Sequence, residues 1–76
     1  MQVMVESADG TTYRVRCNPD DRVADIKLYM RVEHGVPVDQ QILIFEDERM
    51  EDGKMLSEYD IEDGSTILFM MQQLGC

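Results

Sequence analysis

Between Asp21 and Gly35 lies the one long stretch of this chain whose apolar residues recur at helical spacing. Val23, Ile26 and Met30 sit at offsets of three and four, with Lys27 on the same face, which predicts a single amphipathic helix. Asp21 is the nearest residue suited to cap its start. His34-Gly35 ends it, because glycine takes the left-handed position at low cost. Lys27 is the odd member of the stripe, and its ammonium must snorkel to water or meet a carboxylate. The other long patterned stretches read as strands. One helix covers one face of one sheet, so the sheet this chain builds keeps its other face toward water.

The strands divide into two kinds. Met1-Gln2-Val3-Met4-Val5-Glu6 alternates, Ala8-Asp9-Gly10-Thr11 breaks it, and Thr12-Tyr13-Arg14-Val15-Arg16-Cys17 returns antiparallel. Tyr13, Val15 and Cys17 face the core, while Thr12, Arg14 and Arg16 meet water. The later strands, Gln40 to Phe45 and Thr66 to Met71, instead carry uninterrupted apolar runs. Such a strand is buried on both faces, or has one face on the core and the other exposed and sticky. With a single helix available, the second arrangement holds. Leu43, Phe45, Ile67 and Phe69 then pack inward, and Ile42, Ile44, Leu68 and Met70 point out, with Met4 farther across the sheet. Glu46-Asp47-Glu48-Arg49 and Glu51-Asp52-Gly53-Lys54 read as acidic turns. Leu56-Ser57-Glu58-Tyr59 reads as a short single turn, and Ile61 as an anchor before the last strand.

A chain of 76 residues buries around 60% of the surface its unfolded form exposes. That suffices for one core and leaves little room for a deep catalytic cleft, so a binding module or protein tag fits better than an enzyme. Sixteen acidic against seven basic residues give a formal charge of −9. This field repels phosphate backbones and anionic membranes, which excludes both as expected partners. Ile67-Leu68-Phe69-Met70-Met71 is far short of a membrane span. Cytosol or nucleus is the expected location. Cys17 and Cys76 form no Cys-x-x-Cys motif, and His34 has no second imidazole to share a metal. Asp47, Arg49 and Glu51, or Asp60, Glu62 and Asp63, lack calcium-loop spacing and read as solvated acidic surface. No metal or cofactor is expected. A second apolar feature, Leu28 and Val32 with Tyr29 beside them, is either helix surface against a loop or a partner or weak homodimer contact.

The most specific residues are Met1-Gln2, Lys27, Gly35, Pro37, Asp39-Gln40-Gln41, Leu43-Ile44-Phe45, Glu51-Asp52-Gly53, Leu56-Ser57, Tyr59 and Ser65-Thr66. In type and spacing they resemble the ubiquitin family, and the resemblance runs without a gap from Met1 to about Met71. It implies an α+β, β-grasp fold: a twisted mixed sheet of four to five strands on one helix, with the first and last strands parallel in its middle. The domain is expected to span 1–72, with 73–76 a flexible C-terminal tail. The resemblance also implies a protein-binding patch centred on Ile44 and completed by Ala8, Leu68 and Met70. Ile42, on the same outward face, enlarges it. Ile42, Ile44, Leu68 and Met70 together offer around 200–300 Å² of apolar surface, roughly 5–7 kcal/mol gross before association costs.

The departures are chemical. Positions that hold basic residues around the family's patch carry Glu6, Ile42, Glu48 and Gln72, which favours a neutral or basic partner over an acidic one. Met71-Gln72-Gln73-Leu74-Gly75-Cys76 lacks the Gly-Gly pair and the arginines of a conjugated tail. Conjugation would require removal of Cys76 to expose Gly75. Only Lys27 and Lys54 remain as lysines. The resemblance thus implies a non-enzymatic interaction domain binding receptors of the ubiquitin–proteasome system. A divergent modifier or precursor is the alternative.

Overall fold

The computed structural model describes residues 1–71. Strands β1 (Gln2–Ser7) and β2 (Thr12–Arg16) form the first hairpin, followed by helix α1 (Val23–His34). Strands β3 (Gln41–Phe45), β4 (Glu48–Arg49) and β5 (Thr66–Met71) complete a five-stranded sheet in the order β2-β1-β5-β3-β4. β1 and β5 run parallel, and every other neighbouring pair is antiparallel. This is the mixed sheet of the β-grasp fold.

The helix buries the stripe its spacing predicts: Val23, Ile26, Lys27 and Met30. They meet Val3 and Val5 of β1, Val15 of β2, Leu43 of β3, and Ile67 and Phe69 of β5 in one core. Tyr13 and Phe45 pack at its margin, half-buried. Gly35 ends the helix at φ 70°, with its N–H on the Arg31 carbonyl and that of Val36 on the Met30 carbonyl. A side chain there would incur the left-handed cost that glycine avoids.

The helix start differs from expectation. Arg22, not Asp21, is the N-cap, and its backbone N–H donates to Asp25 Oδ2 at 2.9 Å. The Asp21 carboxylate is turned back to the Asn18 N–H, also at 2.9 Å, closing the loop that leaves β2. The free N–H groups of the first turn go instead to a distant loop. Val23 donates to the Lys54 carbonyl and Ala24 to that of Asp52. Long-range backbone partners thus satisfy donors that a side-chain cap would otherwise serve.

Two short elements were not legible in the sequence. Val38–Gln40 forms a 3-10 turn that aims the chain into β3. The acidic stretch after Phe45 contains a strand as well as a turn. Glu46 and Asp47 take left-handed φ values of 52° and 65°, so Phe45 pairs with Glu48 across a two-residue loop. That handedness matches the twist of a tight hairpin, although neither residue is the usual choice there. Leu56–Tyr59 is a 3-10 turn with Leu56 and Tyr59 buried, and Tyr59 Oη accepts the Glu51 N–H at 2.8 Å.

Candidate functional site

The open face of the sheet is built by register. Ile42 lies directly opposite Met70, and Ile44 directly opposite Leu68, across the antiparallel β3–β5 pair. Residues paired in this way share a face, with Cβ atoms about 5 Å apart. Leu43 and Phe69, one step along each strand, pair with each other on the buried side. The four outward residues therefore form one continuous strip over two adjacent strands.

Exposure within the strip is uneven. Leu68 is 48% exposed and Met70 47%, whereas Ile42 and Ile44 are half-buried between neighbouring side chains. The strip is thus a shallow surface with two prominent residues rather than four equally bare ones. Ala8 is exposed in the β1–β2 turn, held by the Ser7 N–H on the Thr11 carbonyl and the Asp9 carboxylate on the Thr11 N–H. The Thr11 backbone N–H, with the Thr11 and Ser7 side chains, keeps the Asp9 pKa below the ordinary aspartate value. Met4, half-buried on β1, pairs with Thr66 and carries apolar surface toward β2.

The helical feature separates into two parts. Leu28 and Val32 are 51% and 67% exposed on the outer side of α1. Tyr29 is half-buried against the core: its hydroxyl donates to the Arg14 carbonyl at 3.4 Å, and its ring lies edge-on to His34. His34 also packs on Tyr13, with ring centroids 4.4 Å apart. Tyr29 therefore belongs with the Tyr13–His34 cluster at the helix end. Gly75 and Cys76 lie outside the described residues.

Nothing else in the described residues resembles a reactive centre. No group of three or more His, Cys, Asp or Glu side chains there is arranged to hold a metal ion. Cys17 is a free, buried thiol, and burial pushes its pKa up, away from the reactive thiolate. A recess lined by Lys27, Arg49, Met50, Glu51 and Asp52 holds the Lys27–Asp52 ion pair. No helix of the described residues is long and apolar enough to cross a membrane.

A small mixed sheet with one helix behind it and an apolar strip in front defines a β-grasp interaction module. The ubiquitin family model matches residues 3–74. Over 75 residues the chain is 33% identical to ubiquitin-like protein NEDD8 of Dictyostelium discoideum, covering 99% of this chain and 97% of that protein. It is 29% identical over 75 residues to ubiquitin-like protein 1 of Schizosaccharomyces pombe, covering 99% of this chain and 96% of that protein. A further relative is AN1-type zinc finger protein 4 of Mus musculus, 29% identical over 75 residues, where the match covers 99% of this chain but only 10% of that protein. The chain thus spans nearly the whole of two relatives and about a tenth of the third. It belongs to the ubiquitin family, whose β-grasp domains are typically non-catalytic and act through contacts with other proteins.

Proposed function

We propose that this domain docks receptors of the ubiquitin–proteasome system through Ile42, Ile44, Leu68 and Met70, with Ala8 at the margin. The observation that carries this reading is the pairing of Ile44 with Leu68 and of Ile42 with Met70 on the solvent face. Leu68 and Met70 remain almost half exposed although they sit on strands whose other faces fill the core. Hydrocarbon grouped in this way is removed from water when a partner covers it. Met70 adds a flexible thioether that adapts to an imperfectly matched surface. The cytosol or nucleus, where such receptors work, is the proposed setting.

An isotope-labelled titration with helical and β-type ubiquitin-receptor domains tests the reading. Shifts centred on Ile44, Leu68 and Met70 support it. Saturating receptor that leaves these signals unmoved rules it out.

The similarity to two relatives of nearly this chain's own length favours a second reading, that of a divergent modifier. It requires removal of Cys76 and activation of the Gly75 carboxylate. Mass analysis of the natural protein for loss of Cys76, followed by thioester assay with activating enzymes, decides it: an intact chain that charges none of them excludes conjugation through Gly75.

A further inference from the structure

Seven of the 76 residues are methionine, and the fold sorts them sharply by access to solvent. Met30 and Met50 are core residues, 0% and 2% exposed. Met1, Met4 and Met55 are half-buried. Met70 and Met71 are exposed to nearly the same degree, 47% and 45%.

These two neighbours on β5 point to opposite faces of the sheet. Met70 pairs with Ile42 on the apolar strip. Met71 pairs with Gln41, whose buried side chain donates from Nε2 to the Lys27 carbonyl of the helix. Residues paired across strands share a face, so Met71 lies on the helix side and off the strip. The chain thus carries two equally accessible thioethers, one within the strip and one outside it.

We propose that Met70 is a site of oxidation by peroxide and that its sulfoxide turns the strip from apolar to polar. The thioether sulfur attacks one oxygen of hydrogen peroxide, an S–O bond forms and the O–O bond breaks. The sulfur gives up an electron pair, and the proton on the transferred oxygen leaves with the departing hydroxide as water. Accessibility selects the residue, because the oxidant must reach a sulfur lone pair. The product is a polar side chain with a strong acceptor oxygen. In the free protein water solvates that oxygen at little cost to the fold, since Met70 is not among the core residues. Under a docked apolar partner the oxygen loses its water without gaining a donor, which weakens the contact. The effect on docking rests on the reading of the strip given above, whereas the change in the surface itself does not.

Two single variants of the full chain, Met71→Leu and Met70→Leu, carry the test, each treated with hydrogen peroxide until a single oxygen is added. Peptide mass analysis is expected to place that oxygen on Met70 in the first and on Met71 in the second. Met30 and Met50 convert at least about tenfold more slowly. Retention on a phenyl matrix then reads the surface without any partner. It drops on oxidation of Met71→Leu and changes much less on oxidation of Met70→Leu, while both keep native amide spectra. Oxygen placed first on any other methionine overturns the proposal, as do equal losses of retention in the two variants or a native spectrum lost on Met70 oxidation. In the receptor titration, oxidised Met71→Leu is expected to bind about tenfold more weakly than its reduced form, and Met70→Leu to be indifferent to peroxide. Equal receptor binding by reduced and oxidised Met71→Leu overturns the effect on docking. A reduced protein that docks no receptor defeats the docking reading instead, and mass and retention still decide the site of oxidation.

Discussion

Lys27 Nζ lies 2.6 Å from Asp52 Oδ1, joining the middle of the helix to the loop whose carbonyls receive the N–H groups of the helix start. The two ends of the pair differ sharply: the lysine side chain is 9% exposed and the aspartate 58%. Removing the aspartate strands a buried ammonium, whereas removing the lysine leaves a carboxylate that water already solvates. Asp52→Asn is therefore expected to cost about 1–2 kcal/mol and Lys27→Met less than about 1 kcal/mol. Urea denaturation of both variants checks the order. A Lys27→Met variant that proves the less stable of the two contradicts the assignment.

Ile67 and Leu68 are consecutive residues on opposite faces of β5, one fully buried and the other half exposed. Ile67→Ala opens a cavity in the core and is expected to cost about 2–4 kcal/mol. Leu68→Ala is expected to cost less than about 1 kcal/mol of stability. On the proposed docking reading it is also expected to weaken receptor binding by roughly tenfold. Thermal melts and the receptor titration together separate the two effects.

The Glu46-Asp47 loop holds two non-glycine residues in left-handed backbone. Glu46→Asn with Asp47→Gly supplies the pair that this turn prefers. The double variant is expected to gain about 1 kcal/mol in chemical denaturation while its patch signals stay in place.

Cys17 gives a pH dependence whose sign follows from burial. Its thiol is held above the ordinary cysteine pKa by desolvation, which outweighs the opposing effect of the nearby amino terminus. The folded state therefore keeps a proton that the unfolded chain releases. The stabilisation is complete below the unfolded thiol pKa and is lost as pH rises toward the folded value. Relative to Cys17→Val, the urea midpoint of the wild type is expected to fall above roughly pH 8.5. Parallel curves for the two proteins across that range refute the claim.

The outward placement of the strip was legible because period-two alternation is a local property. Once Leu43 and Ile67 are inward, Ile42, Ile44 and Leu68 can only be outward. The half-burial of Ile42 and Ile44 was not legible, since it depends on side chains from neighbouring strands. Nor was the two-residue strand β4, whose turn places acidic residues where glycine or asparagine is usual. The cap was misread for a related reason. Asp21 has the right chemistry, but the chain path through Asn18 claims its carboxylate, and loop carbonyls serve the helix donors.

What the residues determined by themselves is the inventory: one helix with its buried stripe, a glycine to end it, and strands whose inner and outer residues are set by alternation. Each depends on backbone geometry acting over a few positions. Only the tertiary structure decided that β5 lies between β1 and β3, that Ile44 faces Leu68, and that Lys27 reaches Asp52. Those relations join residues far apart in sequence, and they are set by how one helix and five strands share a single core.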